Sequence, residues 1–348
     1  MKQVIAAESF EQMMEALERL ASEYLVIAPT YEDGVAHYRP INRMTEEQKE
    51  DIETLSLSNQ PPLGSIKPYL FPDSEIYIEF ARRSGGDLQI QTPVESVPQI
   101  ILGAKPCDVE SLSLIDKVFL EEPIDGLYLE KRENTVLIAN QCQEMGAKCR
   151  CDDFGVERNT ETADLLMSKD TESDRIFLKT QSEKGQTLAK ALLKADGVVE
   201  ADTFPEPFSP AKEPMDGEEI QQKMDEFFES SFWNELAMRC IGCATCTFYC
   251  PTCHCYDIRD FQRKEKGVRY RTWDSCMFQD YTRMAGGHNP RPTRKDRVQN
   301  RFYHKLSYFV KNEGVLGCVG CGRCGDKCPV GISMDTVLNR IGGEKHDK

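Results

Sequence analysis

The sequence predicts an α+β protein in which a mixed α/β N-terminal domain precedes a mostly helical C-terminal domain. Short β-prone runs alternate with helical patterns over the N-terminal half, a proline-rich stretch follows, and eleven of the fifteen cysteines lie from Cys240 to Cys328. At 348 residues the chain exceeds the usual size of one domain. We therefore assign residues 1–201 to the N-terminal domain, 202–216 to a linker and 217–348 to the C-terminal domain.

The N-terminal domain is expected to begin with a helix. Ser9 is a plausible N-cap, and apolar residues follow it at helical spacing from Phe10 to Leu20. A second helix is expected after a capping Asp108, where Val109, Leu112 and Ile115 recur with the same period. Strands are expected at the short β-prone runs, which are 24–28 (stopped by Pro29), 76–78, 99–102, 135–139 and 176–178.

The stretch from 202 to 216 contains prolines at 205, 207, 210 and 214, which neither a helix nor a central strand tolerates. Beyond it, Ile220, Met224 and Phe227 indicate one helix, and residues 232–238 indicate another. No β-prone run of comparable quality follows, so helices are expected to dominate the rest of the chain.

Composition excludes several classes of protein. A formal charge of −15 argues against nucleic acid as a partner, because the long-range field repels phosphate. The chain has no run of eighteen apolar residues and no signal-peptide pattern at its N-terminus, so we expect a cytoplasmic protein without a membrane partner. In a reducing compartment fifteen cysteines are more often metal ligands than disulfides.

The charge is unevenly distributed along the chain. Residues 256–310 contain thirteen Lys and Arg against six Asp and Glu, a local charge of +7. This segment is either a basic insertion folded onto the protein's own acidic surface or a docking face for an acidic partner or a flavin phosphate.

Two copies of one cysteine motif lie in the C-terminal domain. Motif 1 runs from Cys240 to Cys250-Pro251 and motif 2 from Cys318 to Cys328-Pro329, each with the spacing C-x2-C-x2-C-x3-C-P that binds 4Fe-4S clusters in bacterial-type ferredoxins. Three thiolates wrap one cluster, and the fourth cysteine typically ligates the other cluster. We therefore predict two clusters, with ligand sets Cys240, Cys243, Cys246 and Cys328, and Cys318, Cys321, Cys324 and Cys250.

Structural zinc is the rival interpretation, but zinc usually takes two C-x2-C pairs and not four cysteines in one compact run. The long segment between Cys250 and Cys318 fits an α-helical ferredoxin-like domain with an insertion. The glycines at 320, 322 and 325 match a dinucleotide fingerprint, yet they interleave with motif cysteines and follow no good strand. We therefore expect no flavin or NAD on this chain.

Seven cysteines remain. Cys107 and Cys142 each follow a predicted strand, and Cys149 and Cys151 come shortly after, so these four thiols could converge at strand ends. From spacing alone they form a third metal site, a zinc site or a group of free buried thiols. Cys253 and Cys255 follow motif 1 directly, and Cys276 stands apart from them. They are either a redox dithiol, a ligand set with His254, or surplus buried thiols.

Several longer motifs resemble the iron-sulfur β subunit family of cytoplasmic sulfhydrogenases, a group that includes the corresponding iron-sulfur subunits of anaerobic sulfite reductase and of heterodisulfide-reductase-linked flavin oxidoreductases. The similarity covers roughly residues 97–335. Seven segments bear it: Ile101-Leu102-Gly103-Ala104-Lys105-Pro106-Cys107-Asp108, Arg132-Glu133-Asn134-Thr135, Cys142 with Cys149-x-Cys151, Cys250-Pro251-Thr252-Cys253-His254-Cys255, Asp274-Ser275-Cys276-Met277, Met284-Ala285-Gly286-Gly287-His288-Asn289-Pro290-Arg291 and Cys318-Val319-Gly320-Cys321-Gly322-Arg323-Cys324.

The resemblance implies an electron-transfer subunit set between a flavin subunit that reacts with NAD(P)(H) and a terminal catalytic subunit of the hydrogenase or heterodisulfide reductase type. It also implies a third 4Fe-4S cluster on Cys107, Cys142, Cys149 and Cys151. One departure is Arg150, which stands where an aromatic residue is expected within the C-x-C pair. The alternatives are the iron-sulfur subunit of anaerobic sulfite reductase and a dithiol reductase in which Cys253 and Cys255 act on disulfides or sulfur species. His288 is either a turn residue or a group that tunes a cluster.

Overall fold

The structure, a computed structural model, describes residues 2–82, 87–92, 96–170, 173–205 and 213–342. Strands and helices alternate through the N-terminal half in the order β1 (Val4–Ala7), α1 (Phe10–Glu18), β2 (Leu25–Glu32), β3 (Val35–Pro40), α2 (Glu46–Glu50), α3 (Ile52–Leu57), β4 (Ser74–Arg82), β5 (Leu88–Gln91), β6 (Gln99–Ala104), α4 (Pro106–Phe119), α5 (Gly126–Glu133), β7 (Thr135–Asn140), β8 (Leu165–Lys169), β9 (Ile176–Thr180), α6 (Glu183–Leu192) and β10 (Val198–Ala201). Short 3-10 turns occur at Ile41–Arg43, Lys67–Tyr69 and Asp152–Phe154.

An eight-stranded sheet organises this half, in the order β10-β1-β9-β8-β7-β6-β2-β3. The four strands β2, β6, β7 and β8 are parallel, and the outer pairings are antiparallel. Side chains alternate between two cores: Ile100 and Leu102 pack with α1 and α6 on one face, whereas Ile101 packs with α4 on the other. Because both faces are covered, the parallel strands are apolar throughout.

The predicted N-terminal elements are confirmed, with two corrections. Ser9 caps α1 by accepting a hydrogen bond from the Gln12 amide. The strand predicted to stop at Pro29 continues to Glu32 as β2. Its pairing with β6 ends at Ile27, so the missing amide hydrogen of Pro29 removes no hydrogen bond between β2 and β6. The second helix, α4, begins at Pro106 with Lys105 in the capping position, so Asp108 lies within its first turn and is not its cap.

Helices dominate the C-terminal part, as predicted. They are α7 (Gly217–Glu226), α8 (Phe232–Arg239), α9 (Thr245–Phe248), α10 (Arg294–Tyr303), α11 (Phe309–Glu313), α12 (Arg323–Asp326) and α13 (Met334–Ile341). A π-helical turn, His304–Tyr308, joins α10 to α11. The core of these helices surrounds Trp233, Phe302 and Tyr303. Of the proline-rich stretch, residues 206–212 lie outside the described residues, and the flanking residues form neither helix nor strand.

A β-hairpin in the C-terminal part was not predicted. Its strands β11 (Tyr256–Arg263) and β12 (Lys266–Trp273) form a second sheet with two N-terminal strands, in the order β11-β12-β4-β5. Arg271 of β12 is fully buried and forms ion pairs with Glu75 (2.5 Å) and Asp125 (2.5 Å) of the N-terminal half. Charged residues are interspersed along both hairpin strands, so neither strand contains a continuous apolar run by which it could have been predicted. The boundaries between domains stay a prediction, since this sheet takes strands from both halves.

Candidate metal centre

Twelve of the cysteines line three cavities, four around each. The motif-1 cavity is lined by Cys240, Cys243, Cys246 and Cys328. The motif-2 cavity is lined by Cys318, Cys321, Cys324 and Cys250. The N-terminal cavity is lined by Cys107, Cys142, Cys149 and Cys151. In the two motif cavities, the fourth cysteine of each motif therefore lines the cavity of the other motif.

The two motifs fold in the same way. Each run of three cysteines turns through left-handed backbone, at Gly242 and Ala244 in motif 1 and at Gly320 and Gly322 in motif 2, before a short helix begins. The amide two residues after the first cysteine donates to its sulfur at 3.4 Å in both copies. The two short helices, α9 and α12, pack against each other. This turn directs the three cysteines of one run toward a common cavity.

The N-terminal cavity is assembled from separate elements. Cys107 lies in the first turn of α4, Cys142 lies two residues after β7, and Cys149 and Cys151 lie in the loop that follows. Because β6 and β7 are parallel neighbours, the residues that follow their carboxyl ends meet at the same edge of the sheet. The convergence expected for these four thiols is present in the structure.

This N-terminal loop packs directly on motif 2. A side chain at Gly320 would collide with the Arg150 carbonyl, and one at Gly322 with the Lys148 carbonyl, so glycine is required for the close approach. The Arg150 amide donates to the Gly320 carbonyl at 2.7 Å. The Arg150 guanidinium, at the position where an aromatic residue was expected, forms ion pairs with Asp153 (2.5 Å) and with Asp335 of α13 (2.8 Å).

The three cavities lie in a row. Cys107, Val156 and Val319 form a small buried cluster that contacts both Cys151 of the N-terminal cavity and Cys321 of the motif-2 cavity. Arg301 lines both the motif-2 and the motif-1 cavities. The motif-2 cavity is therefore the middle one.

A fully buried ion pair secures the contact between the N-terminal cavity and motif 2. Arg323, two residues after Cys321 in motif 2, donates to Asp108 at 2.8 Å, and their side chains are 2% and 0% exposed. Arg323 also donates to the Pro62 carbonyl at 2.7 Å. Asp108 is next to Cys107, so the pair holds the cysteine-bearing segments of the two cavities together.

Four buried cations around the cavities bind neutral acceptors. The ammonium groups of Lys67, Lys105 and Lys305 donate to carbonyl or hydroxyl oxygens, and Arg301 donates to the Cys246 carbonyl at 3.1 Å. None of the four forms an ion pair with a carboxylate of the described residues. A buried cation without an anion is costly, so these sites require negative charge nearby. Thiolates around a bound iron-sulfur cluster would supply that charge.

The strongest such case is Lys305, in the π-helical turn beside the motif-2 cavity. Its ammonium group donates to the Thr252 hydroxyl at 2.6 Å and to the Gly317 carbonyl at 3.0 Å, and the same hydroxyl lies 3.3 Å from the Cys250 sulfur. Burial lowers the pKa of Lys305, but the Cys250 and Cys253 sulfurs together with other nearby thiols raise it by more, so the net pKa lies above its usual value. Lys105, in contrast, has a pKa lowered by burial to about 8.

Burial also changes the cysteines. It raises the pKa of Cys318 to about 12 and those of Cys321 and Cys142 to about 11, so without metal these thiols are protonated at neutral pH. Metal binding would then release protons and hold the sulfurs as thiolates. No three His, Cys, Asp or Glu side chains of the described ranges are arranged to hold a single metal ion. The cysteines instead surround cavities, and their donor chemistry fits iron-sulfur clusters.

Cys253, Cys255 and Cys276 are outside the linings of the three cavities. The thiol of Cys253 interacts with that of Cys250, and the thiol of Cys255 with that of Cys276. The interpretation of Cys253 and Cys255 as a dithiol stays a prediction. Sequence spacing did not reveal the second pair, because the hairpin separates its members. His288 lies in an exposed turn closed by a hydrogen bond from the Met284 amide to the His288 carbonyl (2.8 Å), which supports its interpretation as a turn residue.

The sequence pattern of the 4Fe-4S dicluster domain family matches residues 239–332. These residues include all eight motif cysteines, so this part of the chain is similar to domains that bind 4Fe-4S clusters. No helix in the described part of the chain is long and apolar enough to cross a bilayer.

Two curated proteins show a wider similarity. The chain is 33% identical to sulfhydrogenase 2 subunit beta of Pyrococcus furiosus over 250 residues, which is 70% of this chain and 73% of that protein. It is 20% identical to F420-dependent formate dehydrogenase subunit beta of Methanocaldococcus jannaschii over 274 residues, 74% of this chain and 61% of that protein. The chain belongs to the iron-sulfur β subunit family of the sulfhydrogenases and is an electron-transfer subunit of an oxidoreductase.

Proposed function

We propose that this chain holds three 4Fe-4S clusters in a row and relays single electrons between two partner subunits. One partner is a flavin subunit that reacts with NAD(P)(H), and the other is a terminal catalytic subunit of the hydrogenase or heterodisulfide reductase type. The observation that carries the proposal is the row of three cavities, each lined by four cysteines. The two relatives, both named as subunits of oxidoreductases, support a place in such a complex.

The proposed ligands are the cavity cysteines. They are Cys240, Cys243, Cys246 and Cys328 for motif 1, Cys318, Cys321, Cys324 and Cys250 for motif 2, and Cys107, Cys142, Cys149 and Cys151 for the N-terminal cavity. When bound, a 4Fe-4S cluster supplies one-electron redox chemistry.

The residues around the cysteines support this chemistry. Val156 and Val319 exclude water between the N-terminal and motif-2 cavities, where both side chains are buried. Lys305 and Arg301 place positive charge beside the motif cavities and so favour the additional negative charge of a reduced state. Flavin and nicotinamide are proposed to bind to another subunit of the complex.

The number of clusters is tested by anaerobic iron and acid-labile sulfide analysis of the purified chain. We expect about 12 irons per chain, four for each cluster. A Cys107→Ser variant should contain about four fewer irons, whereas Cys276→Ser, a matched change outside the cavities, should retain the wild-type content. About 8 irons in the wild type and in Cys107→Ser would reject the third cluster, and zinc with scarcely any iron would reject the proposal entirely.

The relay is tested by asking which reductants act on the isolated chain. Dithionite should bleach the iron-sulfur absorbance under anaerobic conditions, whereas NADH and NADPH should leave it unchanged until a flavoprotein reductase is added. Bleaching by NADPH alone would mean that this chain accepts hydride itself, and the proposed division of roles between the flavin and relay subunits would then be wrong.

A further inference from the structure

Two thiols that the three cavities do not use meet at the base of the β11–β12 hairpin. The ladder of this hairpin ends at the pair Tyr256 and Trp273, and the Asp274 amide then donates to the Cys255 carbonyl at 3.0 Å. Cys276 follows two residues later, and its thiol interacts with that of Cys255. The hairpin therefore brings together two cysteines that are distant in sequence.

The backbone on both sides of Cys276 is fixed. Ser275 is fully buried, and its hydroxyl hydrogen-bonds with that of Thr247 in α9 at 2.8 Å and accepts from the Met277 amide at 3.1 Å. Cys276 is therefore held against the helix that follows the first cysteines of motif 1. Such fixed positions favour a defined contact between the two sulfurs over a chance approach of mobile thiols.

The pair lies near residues of both motif cavities. Cys276 is close enough to interact electrostatically with Cys246 of the motif-1 cavity, and both thiols interact with the buried cations of this region, Cys276 with Arg301 and Cys255 with Lys305. Cys253, which is two residues before Cys255, hydrogen-bonds with Cys250 of the motif-2 cavity. The two thiols are thus adjacent to the residues proposed to hold two one-electron centres.

The environment also makes one sulfur reactive. The hydrogen bond from Cys276 lowers the pKa of Cys255 to about 6, and the Tyr281 hydroxyl contributes in the same direction. This shift favours the thiolate of Cys255, which is the form that reacts in disulfide chemistry. Cys276 is 7% exposed, whereas Cys255 and Tyr281 are partly exposed, so protons have a route to solvent.

We propose that Cys255 and Cys276 form a reversible dithiol–disulfide couple that stores two electrons beside the motif cavities. Oxidation forms one S–S bond between the two sulfurs and releases to solvent the protons that they carry. The two electrons leave for two one-electron acceptors, which are the oxidised clusters proposed for motif 1 and motif 2, and reduction reverses each change. The couple therefore rests on the proposed function, because the clusters are its electron acceptors and donors.

The first test needs no variant. The holoprotein is poised anaerobically at a series of potentials, unfolded in the presence of an alkylating agent and mapped by mass spectrometry. A peptide cross-linked through Cys255 and Cys276 is expected at high potential, and both cysteines should be alkylated at low potential. Alkylation of both cysteines at every potential would overturn the proposal.

The second test counts electrons in an anaerobic reductive titration. Cys276→Ser should accept about two electrons fewer per chain than the wild type, because a two-electron couple is lost. Cys253→Ser is the matched control and should keep the wild-type count. An unchanged count in Cys276→Ser, or a loss in Cys253→Ser instead, would contradict the assigned pair. Iron analysis of the same samples separates these outcomes from a failure of cluster binding, which would lower the iron content.

Discussion

The motif-2 cavity and the N-terminal cavity lie side by side, yet the chain builds them in different ways. Three cysteines of the motif-2 cavity come from one short run that turns at Gly320 and Gly322. The four cysteines of the N-terminal cavity come from a helix, a strand end and a loop. The first cavity depends mainly on local backbone conformation, whereas the second exists only when the sheet, α4 and the following loop have packed.

This difference has a physical consequence for the N-terminal cavity. The loop with Cys149 and Cys151 rests on motif 2, and Arg323 reaches across to Asp108 beside Cys107. The N-terminal cavity is therefore stabilised by the motif-2 region, and disruption of that contact should affect it first. Four predictions, in order of decreasing effect, test how the cavities and their surroundings are stabilised.

Loss of a cysteine that crosses between motifs should remove a whole cluster. Cys250→Ser should lower the iron content by about four per chain, as should Cys321→Ser, and the double variant should lose no more than either single variant. Cys250→Ser combined with Cys243→Ser should lose about eight irons, because those residues serve different cavities. The reverse order, with about eight irons lost from the Cys250→Ser, Cys321→Ser variant and about four from the Cys250→Ser, Cys243→Ser variant, would show that the fourth cysteine serves its own motif.

Removal of the buried carboxylate at the junction should destabilise the fold. Asp108→Asn leaves the Arg323 guanidinium buried without its counterion, which is expected to cost about 3–5 kcal/mol of unfolding free energy. Anaerobic denaturant unfolding measures it. The matched control is Asp326→Asn, which removes the exposed ion pair with Lys148 and should cost less than about 1 kcal/mol. Similar losses in both variants would mean that the buried pair does not govern this junction.

Removal of the buried ammonium group beside the motif-2 cavity should lower one reduction potential. Lys305→Met eliminates a positive charge that favours the reduced state, an effect on the order of 2 kcal/mol, or roughly 90 mV for one electron, at an effective dielectric constant of about 20. Spectroscopic redox titration measures the change. Lys311→Met, at a partly exposed position paired with Asp225, should shift no potential, and equal potentials in the wild type and Lys305→Met would refute the assigned role.

Two partly buried histidines should make stability depend on pH. Burial lowers the pKa of His254 to about 4 and that of His304 to about 3, and their ring centres are 5.4 Å apart. Below about pH 6.5 the unfolded chain binds protons that the folded chain does not. The free energy of unfolding should therefore decrease as the pH is lowered, by about 1.4 kcal/mol per pH unit for each histidine, until the pH reaches the pKa of that histidine in the folded chain.

A His304→Phe variant should lower the dependence of the unfolding free energy on pH by about 1.4 kcal/mol per pH unit, the contribution of one histidine. Unfolding free energies at about pH 7.5, 6 and 5, which span the range below the unfolded pKa, provide the comparison. The value at the highest pH, where the histidines are neutral in both states, isolates the effect on packing. A slope that is the same in the wild type and in His304→Phe would exclude a contribution from this residue.

The sequence predicted the motif cysteines well, because spacing within a short run determines how the backbone turns. It also predicted the strands with apolar runs, such as β6 and β7, and the convergence of Cys107 with Cys142 at the ends of those strands. These are local patterns, or patterns that follow from the edge geometry of a parallel sheet.

The remaining features depend on contacts between distant residues. Neither Arg323 nor Asp108 carries a sign of its partner in the sequence, and the buried position of Lys305 depends on a π-helical turn. The β11–β12 hairpin was missed because charged residues interrupt its apolar positions, and the contact of Cys255 with Cys276 was missed with it. Tertiary structure decides these contacts, and periodicity cannot reveal them.

The four-stranded sheet has a consequence for synthesis on the ribosome. Strand β4 pairs with β12, which is translated much later, so β4 emerges long before its neighbour exists. Contacts between residues so distant in the chain slow folding. Until β12 has been synthesised, the Ile76–Ile78 region of β4 lacks its partner strand. The cysteines of the N-terminal cavity likewise lack the covering contact with motif 2. We expect chaperone dependence and late iron loading to be characteristic of the biogenesis of this protein.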